Sequence, residues 1–429
     1  MNYLFLYAAI VVAVMVFYVG RQRRTQSRTV AVLQESIASG LVEPPSLHPI
    51  VDPTRCMGSG SCANACPENA LGVINGRAVL INAAHCIGHG ACMVACPTEA
   101  IKLVFGTENR GIEIPHISPG FETNVPGIFI AGELGGMGLI RKAAEQGRQA
   151  IESVRKKTDG QAEFDVVIVG CGPAGISAGL SSIQHKLRYK IVEQEDSLGG
   201  AVYHYPRQKI AMTAPVELAI IGKVKFGEIS KEALLEFWQG VVKKTGLQIA
   251  FRERMEAIDR VDGGFLVRTD KGSYSARSVL LSMGRRGTPR KLDVPGEESH
   301  KVAYRLTDPE QYAGQSVLVV GGGDSALEAA ISISEQKNTN VILSYRSEAF
   351  SRVKQKNRIL LEQQEKAGRI RVMLKSKIET IHEKHVEISY NGASQKYPND
   401  AVIVCAGGLL PTPLLQKIGI QFATKFGTV

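Results

Sequence analysis

The chain has 429 residues, of which 44% are apolar, enough for two or three domains with sizeable cores, so a disordered or low-complexity chain is excluded. Its formal net charge of +10 comes with no DNA- or RNA-binding motif, and no nucleic-acid function follows from it. Four of the positive charges, Arg21, Arg23, Arg24 and Arg28, are concentrated behind an apolar run at the N-terminus.

That run, YLFLYAAIVVAVMVFYV at residues 3–19, carries no charge and would rise about 25 Å as a helix, near the lower limit for crossing a bilayer. No basic residue precedes it and no small-residue cleavage site follows it, which argues against a cleaved signal peptide; a buried core helix is the other alternative. The expectation is a retained single-pass anchor in a bacterial-type inner membrane. The arginines behind it would place the catalytic part on the cytoplasmic side, and they also suit an anionic lipid surface. Residues 1–24 are thus expected to be anchor and basic flank. Residues 25–47 are expected to be a linker in which VAVLQESIASG, with Val30, Leu33 and Ile37 at helical spacing before Gly40, forms a short amphipathic helix, a stalk or a packing helix.

Six of the eight cysteines fall in two matching segments, CMGSGSCANACP and CIGHGACMVACP: Cys56, Cys62 and Cys66 recur thirty residues later as Cys86, Cys92 and Cys96. Such registry indicates a duplicated unit. Each segment resembles the bacterial ferredoxin run C-x2-C-x2-C-x3-C-P, with Ser59 and His89 standing where the second cysteine would be, over about residues 48–105. The resemblance implies two iron-sulfur clusters, each [4Fe-4S] or [3Fe-4S], in which the last cysteine of each run serves the other cluster. Cys56, Cys62 and Cys96 would then hold one and Cys86, Cys92 and Cys66 the other, with Ser59 and His89 as candidate fourth ligands. Structural disulfides suit the cytoplasmic side poorly, and structural zinc prefers ligand pairs two to four residues apart, whereas both copies here show a gap of five and then one of three followed by proline.

Residues 106–160 include FETNVPGIFIAGELGGMGLIRKAAEQG, a strand, an apolar turn with Gly132 and Glu133, and a helix; the linker RKKTDGQAEF follows. At residues 165–175, DVVIVGCGPAG, an apolar strand runs into Gly170, Gly172 and Gly175 and on into a helix, which is G-x-G-x-x-G in the setting it requires. The glycines allow a tight turn and bring a pyrophosphate onto a helix N-terminus. Glu193, ending the strand YKIVEQ, is spaced to accept ribose hydroxyls, which suits FAD or NAD. A second fingerprint, SVLVVGGGDSALEAA, has Gly321, Gly323 and Ala326 at the three positions, with Asp324 and Ser325 opening the helix. After its next strand, Arg346 stands where the first site has its acid, and Arg352, Lys354 and Lys356 follow. A basic strand end favours the 2'-phosphate of NADPH over NADH, although a solvated basic helix face accounts almost as well for Arg352, Lys354 and Lys356.

Taken together, these motifs resemble the thioredoxin-reductase-like flavoproteins, most nearly their ferredoxin-NAD(P)H reductase branch, over most of residues 107–429. In that family an NAD(P)H domain interrupts an FAD domain. The resemblance implies an FAD domain at 161–286, with Gly199 and Gly200 of SLGG on the flavin side. It implies an NAD(P)H domain at 287–400, entered after SVLLSMGRRGTP, and a return into the FAD domain at 401–429 through AVIVCAGGLLPTPLLQKIGI. The family's closing Gly-Asp pair, which holds the flavin ribityl chain, would correspond to Gly132 and Glu133, the longer acid being a departure. That segment stands ahead of the fingerprint, so the flavoprotein is expected to be circularly permuted, with 106–160 as its displaced end; chain ends tend to lie together on a domain surface, which makes this physically cheap. The C-x-x-C pair of a thioredoxin reductase is absent from EESHKVAYRLTDPEQYAG, so no dithiol chemistry is expected, and Cys171 and Cys405 read as small buried residues.

The fold class expected is α/β: two Rossmann-like dinucleotide-binding domains, a small α+β ferredoxin domain and an N-terminal transmembrane helix. The function expected is electron transfer from NAD(P)H through FAD and the clusters to a quinone or a membrane-bound or soluble redox protein, since a flavin converts hydride pairs into single electrons. No acid-base residue is required. The reverse reaction, reducing NAD(P)+ from a low-potential donor, and a redox sensor without turnover are the alternatives, and a homodimer is left open.

Overall fold

In the computed structural model the chain divides into two compact units, residues 1–112 with 347–360 and 425–429, and residues 113–346 with 361–424. The structure describes residues 2–427 apart from 39–41, 45, 46, 87, 89, 109, 110, 137, 158, 159, 208, 213, 214, 286, 287, 351, 352, 354 and 410.

The first unit opens with one unbroken helix, α1 (Asn2–Ala38). The expected membrane span is overturned: among the described residues no helix is long and apolar enough to cross a membrane. The apolar run occupies only the first half of α1, short of the about 20 apolar residues that a hydrocarbon core needs. The helix then continues through the four arginines into a half that packs on protein, and the single-pass inner-membrane placement falls with the span. The separate short helix expected after the arginines is the end of α1, where Val30 and Leu33 of the expected stripe are half-buried. Thr29 and Ser36 are buried and Ile37 is exposed.

The reason lies in the hairpin of β2 (Leu71–Ile74) and β3 (Arg77–Leu80), which follows β1 (His48–Val51) and α2 (Ser61–Asn64). A Cβ at Gly72 would come 2.4 Å from Thr29 Cγ2, so the glycine is what lets the helix settle there. Beside it, Gln26 Nε2 donates to Asn75 Oδ1 at 2.7 Å. The short helix α3 (Ala91–Val94) repeats α2, and β4 (Ile101–Val104) pairs antiparallel with β1, His48 opposite Val104. The duplication visible in the sequence is repeated in the backbone: Gly60 and Gly90 precede the two helices in the left-handed region, at φ 74° and 76°. The core is small and includes Cys62, Leu71, Ala78, Cys92 and Ile101, with Cys56 and Cys96 packed against it, so the cysteines are part of what fills it.

The second unit contains β5 (Ile112–Pro115) from its second residue onward, then β6 (Ile128–Ile130), α4 (Ile140–Val154), β7 (Phe164–Val169), α5 (Pro173–Gln184) and β8 (Tyr189–Val192). The strand Ser273–Leu281 runs parallel to β7 on one side and to β6 on the other, Leu280 facing Phe129 and Ile168. β8 extends the sheet beyond β7, and the strands Gly264–Thr269 and Met255–Val261 extend it antiparallel. Continuous Val/Ile runs are what a strand covered on both faces needs, and both faces are covered here. Phe129 joins Ile151, Ile168 and Leu180 in one core, and Ile128 and Ile130 join Val167, Leu415 and Ile420 in the other. α4 turns the stripe Ala143, Ala144, Gly147, Ala150, Ile151 and Val154 inward. It meets α5 so closely that a Cβ at Gly147 would lie 2.0 Å from the carbonyl oxygen of Ala174.

A second, five-stranded parallel sheet has the order Val302–Ala303, Ala401–Val404, Ser316–Val320, Asn340–Tyr345, Ile370–Leu374. The helix Asp324–Ser334 follows its central strand, and Lys377–Ile381, His385–Tyr390 and Ala393–Pro398 form an antiparallel meander. Near the end of the chain, Asn124 clamps the backbone that follows the helix Thr412–Lys417: its Nδ2 donates to Gly419 O at 2.9 Å and its Oδ1 accepts from Gln421 N at 2.8 Å. Within the first unit, Gly427 N donates to Phe105 O at 2.8 Å, while Val429 lies outside the described residues.

Candidate cofactor sites

Cys66, Cys86 and Cys92 line one narrow cavity with Gly88 and Gly90. Burial pushes the Cys92 thiol up to about 11, and the neighbouring Cys86, then Cys66 and least Cys62, add to the rise. Burial likewise raises Cys62, with Cys56 and Cys96 adding to it. The fold therefore sorts the six cysteines into two trios, each taking its last member from the other repeat. Thiols crowded away from water resist ionising unless a cation shares the site, which a metal centre supplies. A single ion does not suit them: among the described residues, neither trio has its three sulfurs within 4.8 Å of one another, whereas ligands of a tetrahedral zinc stand about 4 Å apart. A multi-iron cluster fits the wider spacing. Backbone amides already point at the sulfurs, Ala70 N at Cys66 Sγ (3.4 Å), Ala78 N at Cys56 Sγ (3.4 Å) and Ala100 N at Cys96 Sγ (3.2 Å), and such bonds favour thiolate. Ser59 is exposed, with its Oγ 3.3 Å from Ser61 Oγ; His89 lies outside the described residues.

The first glycine loop joins β7 to α5. Gly170 sits at φ 100°, and a Cβ at Gly175 would be 1.9 Å from the Gly170 carbonyl oxygen. Glu193, at the end of β8, is buried, and its carboxylate accepts from Cys171 N at 2.6 Å and Glu195 N at 3.0 Å. Burial raises its pKa against those two bonds. Gly199 N donates to Cys171 O at 2.9 Å, and a Cβ at Gly200 would stand 3.0 Å from Gly172 Cα, so both glycines face the loop.

Gly132 reaches the same place from a distant part of the chain. Its N–H donates to Gln146 Oε1 at 2.8 Å, and a Cβ on it would lie 3.2 Å from Ala174 Cβ in the first turn of α5. Glu133 is partly exposed next to Arg285, whose guanidinium is held below its usual range by burial, partly offset by Glu133 and Glu113. Arg285 was not among the expected site residues, although it stands in SVLLSMGRRGTP, the crossing that the resemblance implies.

In the second sheet, Gly321 approaches Cys405 so closely that a Cβ would lie 2.5 Å from its carbonyl oxygen, and Gly323 caps the helix that Asp324 and Ser325 begin. Arg346 is exposed at the end of Asn340–Tyr345, and Arg352 lies outside the described residues. Tyr345 is a second omission: a Cβ at Gly322 would fall 2.2 Å from its ring, so the ring lies flush on the glycine loop. Lys209 Nζ meets Glu328 Oε2 on the loop's helix at 2.7 Å, and Arg207 meets Asp308 at 3.1 Å. Cys171 is fully buried and burial raises its pKa strongly; burial and Glu328 bring Cys405 to about 12, so both are held as thiols.

Residues 167–427 match the family model described as pyridine nucleotide-disulphide oxidoreductase, and residues 48–97 match that of a 4Fe-4S dicluster domain. The chain is similar to a ferredoxin–NADP reductase of Streptococcus pyogenes, 28% identical over 191 residues, which is 44% of this chain and 56% of that protein. It thus spans about half the length of the curated relatives it matches. Among solved structures it is similar to the bacillithiol disulfide reductase Bdr of Staphylococcus aureus, with a TM-score of 0.55 and 22% identity over 62% of this chain and 84% of that one. The Bacillus cereus reductase of the same name gives 0.55 and 24% over 61% and 82%. At these identities the likeness speaks for the fold.

Proposed function

The chain belongs to the pyridine nucleotide-disulphide oxidoreductase family, and from that premise we propose an electron-transfer enzyme that passes electrons from NAD(P)H to a one-electron acceptor outside the chain, a quinone or a redox protein. The observation that carries this reading is the presence on one chain of two glycine loops at strand-helix turns and two interleaved cysteine trios. When bound, FAD would turn a hydride into single electrons and the iron-sulfur clusters would carry them one at a time.

The chain's own residues then have distinct tasks. The Gly170–Gly175 loop and the N-terminus of α5 hold the FAD pyrophosphate, Glu193 accepts the ribose hydroxyls, and Gly199 and Gly200 border the flavin. Gly132 and Glu133 face the ribityl chain. Gly321, Gly323, Asp324 and Ser325 would receive the nicotinamide nucleotide, with Arg346 available to a 2'-phosphate. Cys56, Cys62 and Cys96, and Cys66, Cys86 and Cys92, ligate the clusters, with His89 the better candidate for a fourth ligand, since the Ser59 hydroxyl is turned to Ser61.

Residues 106–160 are read as the displaced end of a circularly permuted flavin domain. Support comes from the parallel pairing of β6 with Ser273–Leu281, from Gly132 at the first turn of α5, and from the Asn124 clamp on Gly419 and Gln421. The name of the Streptococcus pyogenes relative favours a second reading in which electrons run from the clusters to NADP+.

Anaerobic steady-state assays in both directions, NADPH or NADH with ferricyanide against NADP+ with a low-potential viologen donor, separate the two. Purified protein that holds neither flavin nor iron would overturn both.

A further inference from the structure

Far along the chain from the cysteines and both glycine loops, the hairpin formed by Lys377–Ile381 and His385–Tyr390 carries a group of side chains that the proposed electron path does not use. Its connection is the tight turn His382-Glu383-Lys384-His385, closed by His382 N donating to His385 O at 2.9 Å. Ile381 pairs with Val386, so His382 and His385 stand opposite one another. Side chains alternate along a strand, so Glu387, two residues beyond His385, rises on the same face. The imidazoles stack with centroids 4.2 Å apart and 18° between planes. One ligand atom from each of His382, His385 and Glu387 can be chosen so that all lie within 4.8 Å of one another, and His382 Nε2 is 3.3 Å from Glu387 Oε1. Nε2 of both histidines is a buried atom with no well-directed hydrogen-bond partner.

We propose that His382, His385 and Glu387 form a binding site for a divalent late first-row cation, Zn2+ or its neighbours Cu2+ and Ni2+. Two imidazole nitrogens and one carboxylate oxygen are the donor set such ions take, whereas Mg2+ and Ca2+ prefer oxygen alone. Bonds of about 2.0–2.1 Å at tetrahedral angles put neighbouring ligand atoms about 3.3 Å apart, which is the separation already present between His382 Nε2 and Glu387 Oε1. A bound ion would give His385 Nε2 a partner and replace the poorly directed approach of His382 Nε2 to Glu387. The His382 side chain as a whole is 40% exposed, so the turn lies at the surface, where an ion can enter. One group competes: Lys396, opposite Glu387 on the next strand, places its ammonium 3.3 Å from the same carboxylate oxygen and must swing away when the cation enters.

The test is equilibrium dialysis of Zn2+ alone against the full chain with its cofactors in place, comparing wild type with His382→Ala, His385→Ala, Glu387→Gln and Lys396→Ala. Uptake by the cysteines is common to all five proteins and cancels in the differences. One Zn2+ per wild-type chain should be lost or weakened in each histidine variant by more than the roughly 10- to 100-fold that removing a mere supporting partner costs. Glu387→Gln should weaken it too. Lys396→Ala, which removes a competitor and no ligand, should bind Zn2+ more tightly than wild type, an outcome that misfolding cannot imitate. Equal uptake by wild type and both histidine variants, or weaker binding in Lys396→Ala, would overturn the site.

Discussion

Glu193 shows how one side chain answers to two states of the protein. In the protein without flavin, burial raises its carboxyl above the ordinary value of 4.5. Because the folded-state pKa is the higher one, the group's contribution to stability is full below about pH 4.5 and is lost as pH rises through the folded value. Glu193→Gln removes that dependence, so the stability of wild type relative to the variant should fall as pH rises from below 4.5 through the raised folded value, as urea unfolding of the flavin-free proteins would measure. With FAD the preference reverses: losing a charged acceptor worth about 1.5–3 kcal/mol should weaken flavin binding about 10- to 100-fold, measured by flavin fluorescence. Cys66 gives a prediction of another kind. It belongs to the first repeat in sequence and to the second trio in space, so Cys66→Ser should impair the cluster of Cys86 and Cys92 while that of Cys56, Cys62 and Cys96 persists. Iron should fall by about half with one set of EPR signals retained; loss of the other cluster instead would refute the interleaving. The cysteine, glycine and acid positions were legible because their spacings are dictated by chemistry. Arg285 and Tyr345 were not, because no spacing rule announces which ring or guanidinium a loop will fold against.

Among the elements, α4 and α1 stand at opposite ends of legibility. The α4 helix was expected from the sequence, but not its distance from α5, which depends on Gly147 meeting the Ala174 carbonyl. Gly147→Ala should force the helices apart and cost about 1–3 kcal/mol, lowering the thermal midpoint and flavin retention together. Gly240→Ala is the matched control. That glycine lies in the helix Lys231–Thr245 with nothing within 4 Å of a built Cβ, so the substitution should stabilise by about 0.5–1 kcal/mol. In α1, hydropathy pointed to a membrane, and helical spacing found Val30 and Leu33 on the half-buried face but set Ile37 there too, where it is exposed. The segment that ends the helix is positioned by Thr29 fitting over Gly72 and Gln26 reaching Asn75, contacts between residues more than forty positions apart.

At the scale of the whole molecule, the proposed permutation predicts that chain order can be restored. A variant that starts at residue 161, runs to 427 and continues through a short linker into residues 107–157 should fold, bind FAD and oxidise NAD(P)H with ferricyanide at close to the wild-type rate. Failure to bind FAD in a folded product would sink the permutation. The amino-acid sequence alone determined the cofactor chemistry, because a phosphate turn, a ribose acceptor and cluster thiolates each demand particular residues at short, fixed separations. It also determined the alternation of strands and helices, because burying both faces of a strand demands an unbroken apolar run. Tertiary structure alone decided the register in which segments share a sheet, how closely α4 meets α5 and how far α1 extends. Those outcomes depend on close approaches between residues distant in the chain: Gly132 at Ala174, Gly72 under Thr29, and Asn124 on Gly419. Local spacing carries no record of such contacts, since each is settled only when two separately formed surfaces meet.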